Sequence, residues 1–306
     1  FLSMNKPNFI ISGFPKCGST ALHYYVDAHP EIFMPKQKEL HYFTQSNISK
    51  LNKGPGDLEA KKSQIKCSDS YFKMFKSVSS EKIIGETSPS YINYPDSFKK
   101  INKELESPKI IILLRDPIKR AYSNYLHLLR EHRETETFSK SLDLENFRKS
   151  QQYSDFWLYT FNSFYYEKII EAKKVFSEVL ILTQEELNID TKKTLTKVYK
   201  FLGVDSEFTP SNLAKRYNKG GLYKSNFITN FIFKQGKIKS FLKKVIPISS
   251  WVKSIKNSII SNYHYKADPI DVDVENELVK IFKKEVDDLT KIGVDTSTWN
   301  KKFFDK

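Results

Sequence analysis

NFIISGFPKCGST, residues 8–20, joins an apolar run to a Gly- and Pro-containing turn and then to a stretch of helical composition over residues 19–28. A strand that enters a helix through such a turn aims backbone N–H groups and the positive end of the helix dipole at one point. That arrangement binds an anion, and a phosphate above all. The turn departs from the nucleoside-triphosphatase P-loop where that motif is most specific. The P-loop has Lys immediately before Ser or Thr, whereas here Gly18 fills that place and Lys16 lies two residues earlier. A P-loop kinase also needs a Mg²⁺-holding carboxylate after a later strand. The residue in that place, Asp116, reads as a helix cap.

Outward from this turn the same strand–turn–helix unit recurs. Residues 82–85 and 109–114 (KIIILL) read as buried strands. The second runs through Asp116-Pro117 into a long helix, Pro at the first helical position being a strong start signal. Residues 154–176 read as one aromatic-rich amphipathic helix, its stripe of Tyr153, Phe156, Trp157, Tyr159, Phe161, Phe164 and Tyr165 facing the core. Residues 179–182 are a strand, and residues 190–202 a helix stopped by Gly203. Residues 237–265 read as one or two short basic helices broken at Pro247, and residues 273–292 as a final helix before Gly293. Strands that are apolar throughout, alternating with helices, predict an α/β fold with a central parallel β-sheet flanked by helices. With no internal repeat and no low-complexity linker in 306 residues, one domain over residues 4–306 is expected. Residues 1–3 precede the first Met and read as a remnant or the edge of a truncation.

Lys plus Arg number 50 against 36 Asp plus Glu, a formal net charge of +14, and 39% of residues are hydrophobic. That suffices for a core and is too apolar for a disordered chain. No apolar run approaches the roughly 18 residues of a membrane-spanning helix, and the N-terminus lacks a signal pattern. Two cysteines, Cys17 and Cys67, are too few for a disulfide framework or a metal knuckle. The charge is concentrated in one place. Residues 208–267 carry eleven Lys, one Arg and no Asp or Glu, so +12 of the +14 lies there and the rest of the chain is nearly neutral. A carboxylate-free stretch of this length points to an anionic partner.

The second motif is KIIILLRDPIKRAYSNY, residues 109–125, which puts Arg115 at the end of a strand and Ser123 two turns into a helix. Together with GFPKCGST it resembles the sulfotransferases that use 3′-phosphoadenosine 5′-phosphosulfate (PAPS). The resemblance runs over nearly the whole chain. Lys38-Glu-Leu-His-Tyr-Phe43 is similar to the (K/N)-E-x-H-F-F segment of the heparan-sulfate-type carbohydrate branch, and Gly85-Glu-Thr-Ser-Pro-Ser-Tyr91 to its E-K-T-P-A-Y segment. Thr183-Gln-Glu-Glu-Leu187, Phe201-Leu-Gly203, Tyr217-Asn-Lys-Gly-Gly221 and a closing helix up to Trp299 follow in the family's order. The Lys of E-K-T-P is Thr87 here, so that branch's acceptor recognition does not carry over.

The resemblance implies a set of roles. Lys16, Cys17, Gly18, Ser19 and Thr20 hold the phosphosulfate, and Arg115 and Ser123 hold the 3′-phosphate. A guanidinium offers a rigid fork for phosphate, and a serine on a fixed helix adds a short donor. Lys219, Gly220, Gly221 and Lys224 occupy the place where the family closes a basic, glycine-containing loop over the cofactor. Lys16 is the cation for the bridging oxygen of the leaving phosphate. No metal is required. Glu39 matches the branch's catalytic Glu and is the expected general base. His41 is the alternative, as the small-molecule branch uses a His. If residues 39–41 are extended, both side chains project to one face. Lys38 tunes Glu39, contacts substrate or is solvated. Glu86 and Ser90 line the same mouth or act as caps. His23, His29, His127, His132 and His264 read as ordinary surface or core, and the Cys17 thiol as a small buried side chain.

The function expected is transfer of a sulfuryl group from PAPS to an acceptor hydroxyl on a carbohydrate. The alternatives are a small-molecule or lipid sulfotransferase with His41 as base, and a catalytically inactive basic nucleic-acid-binding protein. The latter has no need of the Arg115/Ser123 pair, and no nucleic-acid partner is expected. The acceptor is a glycan or a small hydroxyl compound, polyanionic if the basic stretch borders it. Residues 224–266 could instead make a peripheral membrane contact. A start near Met4 implies a bacterial cytoplasm and a truncated animal-type enzyme the Golgi lumen. One sequon, Asn47-Ile-Ser49, and two cysteines favour the first.

Overall fold

The computed structural model describes residues 5–213, 222–223, 264–265 and 267–305. Five strands, β1 (Phe9–Ile11), β2 (Ile32–Phe33), β3 (Ile83–Thr87), β4 (Lys109–Leu114) and β5 (Val179–Thr183), form a sheet in the order β2-β3-β1-β4-β5. Every neighbouring pair is parallel, as expected of an α/β fold. The apolar runs explain why. Phe9, Ile10 and Ile11 of β1 and Ile111, Ile112, Leu113 and Leu114 of β4 have no exposed surface, so both faces of the sheet must be covered.

From β1 the chain adds β2 and β3 on one side, then crosses to add β4 and β5 on the other. That reversal opens a crevice at the carboxyl ends of β1 and β4, where open α/β sheets bind ligands. Gly13 makes the exit from β1 possible. A Cβ there would lie 2.4 Å from Leu113 N, so any larger residue would push the turn away from β4.

Capping chemistry sets the main helices, Ser19–Asp27, Pro117–Arg130, Thr191–Leu202 and Val272–Lys291. Asp116 Oδ1 accepts from Ile118 N at 2.9 Å and Lys119 N at 3.1 Å, while Oδ2 accepts from Asn300 N at 2.7 Å. Both oxygens of this buried carboxylate are engaged, so the cap also fastens the end of the chain to the start of the Pro117–Arg130 helix. Asp190 Oδ1 accepts from Lys193 N at 2.9 Å, and Gly203, at φ 80, closes that helix.

Residues 154–176 do not form one helix. Only Tyr166–Val175 is α-helical, preceded by single 3₁₀ turns at Asp155–Trp157 and Phe161–Ser163. The cause is competition for backbone groups. Asp57 accepts from Ser154 N at 2.8 Å, Glu145 accepts from Thr160 N at 2.8 Å, and Arg120 donates to Tyr159 O at 2.6 Å. Asn162 Nδ2 donates to Asp155 O at 2.6 Å and Leu158 O at 3.0 Å. Groups a continuous helix would pair within itself are taken by side chains. The basic helices expected over residues 237–265 lie outside the described residues except at their end. There His264–Tyr265 form a two-residue strand, not a helix, because their backbone pairs antiparallel with Leu222–Tyr223. Among the described residues no helix is long and apolar enough to cross a membrane.

Candidate active site

The carboxyl ends of β1 and β4 open into a cleft of about 1090 Å³. One wall begins with the turn of residues 13–20. Gly18, at φ 99, takes a left-handed conformation that lets the chain swing into the Ser19–Asp27 helix. Lys16 is also left-handed, at φ 73, without glycine's freedom, and such strain persists where neighbours enforce it. Arg115 is such a neighbour. Its Nη1 donates to Lys16 O at 3.2 Å, and Tyr165 Oη in turn donates to Arg115 O at 3.0 Å. Arg115 Nε is buried without a hydrogen-bond partner, so the fork is incompletely satisfied by the protein. Beneath the turn the buried Arg120 donates to Ser163 Oγ at 2.6 Å, Asn124 Oδ1 at 3.0 Å and Pro15 O at 3.3 Å, tying the turn to the core.

The Pro117–Arg130 helix continues this wall. Lys119, Ser123, His127 and Arg130, spaced four, four and three residues apart, share the face that lines the cleft. The wall is rich in positive charge. Burial, with Arg130 and Arg115 nearby, pushes the Lys16 amine down to about 7. Burial together with Lys16 and Arg130 pushes His127 down to about 2, which leaves it neutral. Arg130 Nη2 lies 2.7 Å from His127 Nδ1. A guanidinium only donates, so Nδ1 accepts and the ring proton sits on Nε2.

The opposite wall carries Glu39 and His41, and here the expected extended geometry is not found. Glu39 (φ 58) and His41 (φ 54) are both left-handed. Leu40 between them is buried in the core, Glu39 N donates to Thr87 O at 2.7 Å, and His41 N donates to Ser88 Oγ at 3.2 Å. Those anchors twist the loop so that its polar side chains meet by a different route. His41 Nε2 stands 3.8 Å from Glu39 Oε2, an ion-pair separation too long for a hydrogen bond. His41 Nδ1 is 2.7 Å from Ser90 Oγ, itself 2.8 Å from Thr44 Oγ1. The adjacent His41 holds the Glu39 carboxyl below the ordinary carboxylate range against the cost of its surroundings, and Lys38 and Lys16 add to the effect. With 53% of its side-chain surface open, Glu39 presents an ionised carboxylate to the cleft.

Glu86 is not at the mouth. It is fully buried, where burial raises its carboxyl, and it accepts from Tyr71 Oη at 2.6 Å and Ser88 Oγ at 2.8 Å, so it supports Ser88 from below. Thr87 is buried too, with its Oγ1 2.9 Å from His23 Nδ1. The same cleft is also lined by Gln64, Asn93, Ser154, Asp155, Phe156 and Asn162.

The fold thus brings Lys16, Gly18, Ser19, Thr20, Arg115, Ser123, Glu39 and His41 to one cleft. Cys17 is not with them. Its thiol is buried in the core, 3.9 Å from Pro15 O, and burial pushes it up to about 12, so only its backbone faces the turn. Lys219, Gly220, Gly221 and Lys224 lie outside the described residues, as does nearly all of the basic stretch. The sequence reads His127 as ordinary surface or core and does not single out Arg130, although counting along the helix from Ser123 places both on its face. Nor does it single out Gln184, whose side chain packs on Gly18, so that a Cβ there would lie 3.4 Å from its Nε2.

Residues 7–210 match a family profile described as the sulfotransferase family. A stretch of 119 residues is 36% identical to the membrane-associated sulfotransferase kil1 of Dictyostelium discoideum, covering 39% of this chain and 22% of that protein. Carbohydrate sulfotransferase 15 of Mus musculus is 26% identical over 245 residues, 65% of this chain and 44% of that protein. The chain therefore spans less than half the length of these curated relatives. A crystal structure of a sulfotransferase from Alicyclobacillus acidocaldarius superposes with a TM-score of 0.75 at 28% identity, over 96% of this chain and 99% of that one.

Proposed function

The chain belongs to the sulfotransferase family, and from that premise we propose that it moves the sulfuryl group of PAPS to a carbohydrate hydroxyl, with Glu39 as general base. The observation that carries this reading is that the turn, Arg115, Ser123 and Glu39 line a single cleft, with Arg115 following β4 and the Glu39 loop beside the end of β3, on either side of β1. PAPS supplies an activated sulfuryl group on a phosphate leaving group. Arg115 and Ser123 hold the 3′-phosphate, and the turn of residues 13–20 holds the 5′ end. Lys16 meets the charge that grows on the leaving oxygen. Its amine is pushed down among other cations, and an anion beside it restores the charged form. Glu39 removes the acceptor's proton as the new O–S bond forms. Alignment of two substrates in one cleft and proton removal are each worth orders of magnitude in rate.

Other residues lining the cleft support a sugar as acceptor. The amide of Gln64, the hydroxyl of Ser154, the carboxylate of Asp155 and the ring of Phe156 suit a ligand with several hydroxyls and an apolar face. A second reading makes His41 the base for a small hydroxyl compound, favoured by Ser90, which fixes the ring and leaves Nε2 toward Glu39. The test is an acceptor screen with radiolabelled PAPS across glycans, phenols and steroids, run beside thermal melts in EDTA. Adenosine 3′,5′-bisphosphate should raise the melting temperature far more than ATP. Equal stabilisation by ATP with Mg²⁺ would overturn the donor assignment, and transfer to phenols or steroids alone would overturn the acceptor.

A further inference from the structure

The loop that carries Glu39 is tied to the phosphate turn through one side chain that the mechanism above does not use. Lys38 Nζ donates to Thr20 Oγ1 at 2.7 Å. Thr20 lies in the first turn of the Ser19–Asp27 helix and lines the cleft, while Lys38 immediately precedes the left-handed Glu39. One turn further along the same helix, His23 meets Thr87 at 2.9 Å, and the carbonyl of Thr87 accepts Glu39 N at 2.7 Å. Helix, loop and the end of β3 therefore form a closed ring of polar contacts, in which Lys38–Thr20 is the contact that reaches the ligand side.

We infer that Lys38 is a positioning residue that couples occupancy of the phosphate turn to the placement of Glu39. The inference rests on the sulfuryl-transfer reading. An ammonium has no lone pair, so the Thr20 oxygen must accept and its own hydrogen points elsewhere. A hydroxyl that accepts from a cation is polarised into a better donor, and an anion that takes its hydrogen strengthens the bond from Lys38 in return. An anion on the turn thereby tightens Lys38 against Thr20. Because Lys38 and Glu39 are neighbours in the chain, that fixes a loop whose backbone is held in a costly conformation. The donor end of the cleft thus prepares the base before an acceptor arrives.

Amide hydrogen exchange on the full chain, with adenosine 3′,5′-bisphosphate as the probe, tests this without knowing the acceptor. In the wild type, saturating bisphosphate should slow exchange across residues 36–41 by about tenfold, alongside protection of residues 18–22. In Lys38→Met the protection of residues 36–41 should fall below about twofold while residues 18–22 stay protected and the bisphosphate Kd moves less than about threefold. Lys38→Arg, which keeps the charge and the donor, should retain the protection. If Lys38→Met does not fold, judged by its melt without ligand, Lys38→Gln replaces it with the same expectation. Equal protection of residues 36–41 in variant and wild type would overturn the inference. So would a collapse of bisphosphate binding in the variant, which would make Lys38 a ligand of the donor. A wild type that does not bind bisphosphate at all would refute the sulfuryl-transfer reading itself, an outcome visible before any variant is made.

Discussion

On the side of the cleft proposed to hold the donor, the turn of residues 13–20, the end of β4 and the Pro117–Arg130 helix are regular elements with local caps, and Arg115 and Arg120 fasten them to one another. The side proposed for the acceptor is made of loops and single turns tied together by side chains from distant parts of the chain. Asp57 illustrates the second kind. It accepts from Arg133 Nη2 at 2.5 Å, Ser154 Oγ at 2.6 Å and Trp157 Nε1 at 3.2 Å, partners up to 100 residues away. The difference implies a division of labour. The donor wall should set affinity for the nucleotide, and the acceptor wall should set turnover.

The sharpest way to break that division is at Glu39. Glu39→Gln keeps the shape and removes proton acceptance, so turnover should fall by about 10²-fold or more with bisphosphate binding nearly unchanged. If this variant stays active while His41→Ala is dead, the base is His41. Next comes Arg115 on the opposite wall. Arg115→Ala should weaken adenosine 3′,5′-bisphosphate by about ten- to a hundredfold in calorimetry while 5′-AMP changes little, since charged hydrogen bonds contribute about 1.5–3 kcal/mol. An equal loss for both ligands would place Arg115 away from the 3′-phosphate.

A third test concerns charge on the donor wall. In the free protein the Lys16 amine sits at about 7, and a bound dianion raises it, so binding takes up a proton above pH 7. Bisphosphate affinity should therefore decline from pH 7 to 9, approaching about tenfold per unit. In Lys16→Met the decline should vanish, and a flat wild-type profile would mean that Lys16 does not meet the ligand's charge. The smallest effect is expected at Ser90. Ser90→Ala frees one side of the His41 ring and should lower turnover only about two- to tenfold, the worth of one neutral hydrogen bond. A loss as large as that of Glu39→Gln would shift the catalytic weight from Glu39 to the His41–Ser90 pair.

Legibility in the sequence follows the same line between the walls. The run KIIILL, the Asp116-Pro117 start and Gly203 announce elements whose boundaries depend on residues within one turn, and they stand in the structure almost where the sequence puts them. The aromatic stripe of residues 153–165 has helical spacing, yet its backbone groups are claimed by Asp57, Glu145 and Arg120, none of them close in sequence. Glu39 and His41 stand out through the resemblance of the Lys38–Phe43 segment, and an extended segment would project both to one face. They are neighbours because Leu40 is buried between them and the chain turns through two left-handed residues.

The sequence by itself determined the parallel sheet, the turn of residues 13–20, and the Arg115 and Ser123 positions on the second motif. Each rests on local periodicity, local capping or the freedom of a glycine, all of which are properties of short stretches. Only the tertiary structure decided that the loop of Glu39 turns through two left-handed residues and brings Glu39 beside His41. It alone decided that Glu86 lies beneath the site, and that Lys38 reaches Thr20. Those outcomes depend on which distant carboxylates, carbonyls and hydroxyls arrive to satisfy buried polar groups, and no stretch of the chain carries that information alone.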